Sequence, residues 1–176
     1  MVKILIGVVL VTIAVIATFL IIDPNVGIQT AGNVVETTNT FTVTVEGEVY
    51  TTGTYTLNEG ALMSDLLEAA GGVTVKADER AYYESAVLTK GMTYYIASRY
   101  DASDLCNVSE VDKVNINTDT AAELATVSGI TSTIANSIVS YRQDSGLFST
   151  LEQVMEVYGI GNATYHKIRN YLILHE

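Results

Sequence analysis

Two short strings, Gly129-Ile130 and Gly159-Ile160, lie thirty residues apart, and each interrupts an apolar pattern of helical spacing. Before the first, Ala121, Leu124 and Ala125 begin an apolar face, and Thr120-x-x-Glu123 has the form of a capping box. After it, Ile134, Ile138 and Tyr141 recur at i, i+4, i+7, with Ala135 and Val139 widening the stripe as far as Gly146. The pattern then repeats. Ser149-x-x-Glu152 has capping-box form, and Leu151, Val154, Met155 and Val157 supply a second short helix. Gly159-Ile160-Gly161 breaks that helix, and a final one carries Tyr165, Ile168 and Leu172 on one face. A short helix, a Gly-Ile loop and a longer helix, twice over, confine residues 114–176 to a duplicated αα-hairpin.

Such loops offer anion binding. Glycine permits φ > 0 and lets the backbone approach a ligand closely. The loop N–H groups then point outward beside the free N–H groups of the next helix, a combination suited to a phosphate oxygen. The candidate contacts are Gly129, Ile130, Thr131 and Ser132 in the first hairpin and Gly159, Ile160, Gly161 and Asn162 in the second, with Lys167 and Arg169 on the helix that follows. Each isoleucine is expected to pack inward and fix its loop. Two sites on one core can grip two phosphates of a duplex at once, without base information and with strong salt dependence.

Two features run against that reading. The first loop has Thr131 where the second has Gly161, and a β-branched residue resists φ > 0, so the loop must adopt a conformation threonine tolerates. Its hydroxyl can still cap the helix or donate to a phosphate. The balance of charge is also acidic: residues 114–176 carry three bases against six acids, and the whole chain has a net charge of −11, whereas a nucleic-acid binder normally shows a basic footprint. Locally the two hairpins differ. Ser132, Thr133 and Asn136 follow the first loop, while Asn162, Thr164, His166, Lys167 and Arg169 follow the second. Screening over about 8 Å gives local cations more weight than distant acids, so the second hairpin is expected to carry most of the grip. Several copies on one DNA would add avidity.

Upstream, Ile4 to Ile22 is a nineteen-residue apolar run after Lys3 and before Asp23-Pro24. As a helix it would span roughly 28 Å, close to the thickness of a bilayer core, so it reads as an uncleaved transmembrane anchor. Lys3 and the positive-inside rule put the N-terminus in the cytoplasm and the remainder outside. Residues 24–40, rich in Asn, Thr and Gly, read as a flexible linker. From Phe41 the chain alternates as a strand; Gly53 to Leu57 suits a partner strand; Leu62, Leu66, Leu67 and Ala70 recur as a helix stopped by Gly71-Gly72. Ala86-Val87-Leu88 and Met92 to Ala97 look like two further strands around Lys90-Gly91, making a small α+β domain with one helix on a sheet. Residues 101–113 read as an acidic linker holding Cys106, the single cysteine, so no intramolecular disulfide can form.

Two resemblances attach to these strings. Val45-Glu46-Gly47-Glu48-Val49, Gly53-Thr54-Tyr55 and Leu66 to Val73 are similar to the SLBB domain, a β-grasp-like module associated with soluble ligands or oligomerisation. Val114-Asn115-Ile116-Asn117-Thr118, the Gly129-Ile130 loop, Ser140-Tyr141-Arg142, Gly146-Leu147-Phe148 and Gly159-Ile160-Gly161 resemble the helix–hairpin–helix domain of the ComEA family, the membrane-anchored DNA receptors of bacterial competence. The resemblance implies an α+β chain: a transmembrane anchor (1–23), a linker (24–40), an SLBB-like domain (41–100), an acidic linker (101–113) and an all-α tandem helix–hairpin–helix domain (114–176). It also implies capture of extracellular double-stranded DNA, delivery toward an uptake channel, and self-association through the SLBB-like domain.

No Ser/His/Asp arrangement, Walker loop or metal-spaced carboxylate cluster is present in the sequence, and His166 and His175 lack the paired spacing of a zinc site. A binding protein without cofactor or metal is therefore expected, not an enzyme. The alternative is a surface scaffold or soluble-ligand binder in which the SLBB-like domain acts and the hairpins mediate protein contacts, a reading the acidic balance favours.

Overall fold

A computed structural model describes residues 39–100 and 110–176. The apolar run at 4–22, the linker up to residue 38 and Cys106 lie outside the described residues. Among those described, no helix is long and apolar enough to cross a membrane.

The first half is built on β1 (Thr40–Gly47), whose Phe41, Val43 and Val45 point into the core while the intervening threonines face out. It pairs antiparallel with β2 (Gly53–Asn58) on one side and parallel with β3 (Thr93–Ile96) on the other, Val43 opposite Tyr55 and Val45 opposite Tyr94. Helix α1 (Met63–Ala69) lays Met63, Leu66 and Leu67 on that core. Gly71 and Gly72, at φ +82° and +94°, end the helix, and the Gly72 N–H donates to Leu67 O at 2.8 Å, the long reach of a Schellman stop. The strand expected at Ala86–Leu88 does not form. Leu88 N–H donates to Ala61 O and Ala86 O accepts from Met63 N–H, so this segment satisfies its backbone against the entry to α1 instead of joining the sheet.

The second half opens with β4 (Val114–Asn115), which pairs parallel with β5 (Leu172–Ile173) near the C-terminus and so ties its two ends together. Between them run α2 (Ala121–Leu124), α3 (Ser132–Ser145), a 3-10 helix (Leu151–Glu156), α4 (Asn162–Ile168) and a 3-10 turn (Arg169–Tyr171). The Thr120/Glu123 box forms as expected, Thr120 N–H donating to the Glu123 carboxylate at 2.8 Å. The second box is displaced by one residue. Gln153 Oε1 accepts from Ser149 N–H at 2.7 Å, which frees Glu152 to turn inward. Helix α4 ends a turn earlier than its periodicity predicts, and Leu172 reaches the core from a strand rather than a helix.

The halves are not beads on a string. Ala81 and Ala97 of the first belong to the apolar core of the second, with Tyr83 and Tyr95 packed against it. Residues 110–113, read from sequence as linker, are structured: Val111 N–H donates to Arg99 O at 3.0 Å, and Lys113 is buried. Lys113 Nζ lies 3.0 Å from Asp78 Oδ2, an ion-pair contact off the axis of a good hydrogen bond, while Arg80 grips both Asp78 oxygens at 3.0 Å. Burial pushes the Asp78 carboxyl up, but Arg80 and Lys113 outweigh it and hold its pKa at about 2. Burial likewise draws the Lys113 ammonium below its ordinary value. Across the same seam, Leu174 N–H donates to Arg80 O, Ser98 N–H to Asn170 Oδ1 at 2.9 Å, and Tyr83 stacks on His175 with centroids 4.7 Å apart.

Candidate nucleic-acid interface

The two Gly-Ile loops have one backbone conformation. Gly129 and Gly159 stand at φ +115° and +94°, a region closed to ordinary side chains. Ile130 and Ile160 are both buried, each donating its N–H back over the break, to Val127 O at 2.9 Å and Val157 O at 3.1 Å. Thr131 (φ −77°, ψ 162°) and Gly161 (φ −100°, ψ 179°) are then extended N-caps whose carbonyls accept the first helical bonds, from Ala135 and Tyr165.

This resolves the difficulty posed by Thr131. The third loop position has negative φ in both hairpins, so a β-branched residue fits the backbone without strain. The glycine there matters for space instead. A Cβ on Gly161 would meet no protein atom within 4 Å, so that side of the loop is open. In the first hairpin the Thr131 side chain occupies the equivalent place. Its Oγ accepts from Ile134 N–H at 3.3 Å, which leaves the hydroxyl hydrogen to donate outward. Thr131, Ser132, Gly159, Gly161 and Asn162 are all exposed.

The bases are distributed differently from their order in the sequence. The Arg142 guanidinium donates to Ile116 O at 2.9 Å and Asp119 O at 2.7 Å, bracing the segment before α2. Arg169 lies one residue beyond α4, where the chain tightens into a 3-10 turn that directs it to the other half. Its guanidinium sits 3.7 Å above the Tyr95 ring and 3.1 Å from Glu46, so it is committed between the halves and not grouped with the Gly159 loop. Lys167 is exposed, and its side chain runs along the first loop: a Cβ on Gly129 would stand 3.2 Å from Lys167 Cδ and 3.6 Å from Cε. The structure therefore gathers Gly129, Ile130, Thr131, Ser132 and Lys167 at one loop, and Gly159, Ile160, Gly161 and Asn162 at the other.

Three residues carry weight that sequence reasoning did not assign. Asn117 is buried and clips the module shut, accepting from Phe148 N–H at 2.8 Å and donating to Phe148 O and Leu174 O at 3.0 Å. Glu152, 3% exposed, accepts from Tyr95 N–H at 2.8 Å and Tyr165 O–H at 2.7 Å. Tyr158, immediately before Gly159, is 85% exposed at the tip of the second loop, where the first has Ser128. Asn117 sits in a string noted only for its resemblance, and the Glu152 partner is fifty-seven residues away, so neither had a local signal. Among the described residues no group of three His, Cys, Asp or Glu side chains is placed to hold a metal ion.

Comparison with known proteins agrees with both halves. The chain matches the helix-hairpin-helix motif family over residues 109–173 and the SLBB domain family over residues 42–97. ComE operon protein 1 of Bacillus subtilis is 30% identical over 155 residues, covering 83% of this chain and 76% of its own length. An uncharacterized protein of Haemophilus influenzae is 48% identical over 63 residues, 35% of this chain and 56% of that protein. Human endonuclease/exonuclease/phosphatase family domain-containing protein 1 is 37% identical over 71 residues, which is 38% of this chain but only 12% of that protein. Because the likeness to the Bacillus protein runs through most of both chains and takes in both halves, this chain belongs to the ComEA family.

Proposed function

We propose that the chain is a non-enzymatic, sequence-independent binder of double-stranded DNA that acts as a membrane-anchored receptor in competence. The observation that carries this reading is the pair of loops with matching backbone geometry, thirty residues apart on one core. Each presents outward amides of a kind that can hold one phosphate. The apolar run at Ile4–Ile22 supports the anchor, with the N-terminus cytoplasmic and the DNA-binding part outside. Delivery to an uptake channel, and self-association through the SLBB domain, follow from the family and belong to the same proposal.

The test is a titration of the full chain in nonionic detergent with labelled duplexes of unrelated sequence across a salt series. Similar affinities are expected for all sequences, with log K falling linearly against log salt. Gly161→Val adds methyl groups on the open side of the second loop, at a backbone conformation that tolerates them. It should weaken binding about tenfold, the loss of about one charge-assisted contact. Absence of binding at low salt, or a Gly161→Val chain that binds normally, would sink the phosphate mechanism and favour the scaffold reading.

A further inference from the structure

Resting on that reading, we infer that Lys167, a residue of the second hairpin, supplies the cation for the phosphate site of the first, so that the salt-sensitive part of DNA binding resides in the Gly129 loop. Of the three bases in residues 114–176, Arg142 is held by backbone carbonyls and Arg169 by Glu46 and Tyr95. Among the described residues, Lys167 is the one base of this half without an ion-pair or hydrogen-bond partner.

Its position follows from how the hairpins pack. Each loop leans on the other hairpin's second helix: Gly129 on Ile168 and Lys167 of α4, Gly159 on Ile134 of α3. The Ile168 methyl, 3.0 Å from where a Gly129 Cβ would stand, fixes that contact from below, and the Lys167 stem lies alongside it. One further bond of about 1.5 Å keeps the ammonium within about 5 Å of that point, in reach of a loop whose Thr131 and Ser132 amides are unpaired, the Ile130 N–H being taken by Val127 O. The Thr131 hydroxyl, donating outward, completes a set of amides, hydroxyl and ammonium around one position. A Cβ on Gly159 would meet only the apolar Ile134 side chain of α3 within 4 Å. The two hairpins are thus alike in backbone and unlike in chemistry: the first holds phosphate with a formal charge, the second without one.

A double-mutant cycle on duplex affinity, using the full chain in detergent at about 0.1 M salt, separates this from its rivals. Lys167→Gln should weaken binding about five- to tenfold and make the salt slope shallower by about 0.9, the share of one phosphate. In a Thr131→Asp background, where a carboxylate still caps the helix but repels the same phosphate, Lys167→Gln should cost less than twofold more. In a Gly161→Val background its full five- to tenfold cost should remain. Equal losses in both backgrounds, coupling to Gly161 in place of Thr131, or an unchanged salt slope overturns the assignment while DNA binding itself stands. A wild-type chain that fails to bind duplex at low salt removes the underlying reading and this one with it.

Discussion

Glu152 links the two halves through a single carboxyl group, and its removal should be costly. Glu152→Ala leaves the Tyr95 N–H and the Tyr165 O–H without an acceptor in a place water does not reach. An orphaned buried donor costs about 1–3 kcal/mol, so two amount to about 4 kcal/mol. That is a large fraction of the 5–15 kcal/mol typical of a folded domain. For a unit of this size it corresponds to a melting point lower by about 10 °C. Glu152→Gln keeps the shape and one acceptor oxygen, and should cost about 1 kcal/mol. Burial also raises the Glu152 pKa, against the bonds from Tyr165 and Tyr95 that lower it. Between about pH 4.3, the ordinary glutamate value, and that raised value, the folded chain keeps a proton the unfolded chain has released. Stability in that window therefore falls as pH rises, and Glu152→Gln should abolish this component of the slope. Thermal melts followed by far-UV circular dichroism across pH, on chain in nonionic detergent, measure all three. The reasoning fails if Glu152→Ala lies within about 0.5 kcal/mol of wild type. It fails equally if the glutamine variant retains the wild-type slope.

Asp78 works in the opposite sense. With its native pKa held at about 2, its contribution is complete above the ordinary aspartate value and is lost as pH falls toward 2, which acid titration of the ellipticity should register. Asp78→Asn, which deprives buried Lys113 of its counter-charge, should cost about 3 kcal/mol at neutral pH in the same melts. Arg169→Ala removes the contacts to Tyr95 and the partly exposed Glu46 and should lower stability by about 1–2 kcal/mol. Its salt slope for duplex binding should match wild type; a shallower slope would return Arg169 to the DNA-contacting set.

The features legible in the sequence were those encoded within one or two helical turns. The Gly-Ile breaks, the inward isoleucines, the Thr120/Glu123 box and the Gly71-Gly72 stop depend on dihedral limits and on hydrogen bonds between residues at most five apart, and each formed where spacing placed it. What tertiary structure alone decided was where the polar and charged side chains went. Glu152 stands at the fourth position of a motif that would keep it in water as a helix cap, yet it is buried because the unpaired N–H of Tyr95, on an edge strand of the other half, draws a carboxyl inward. Arg169 and Lys167 lie two residues apart on what looks like one basic face. The chain tightens between them, and one reaches Glu46, 123 residues earlier, while the other crosses to the Gly129 loop. Periodicity records which residues avoid water. A long side chain's destination depends on which surfaces pack beside its helix, and those surfaces come from distant parts of the chain.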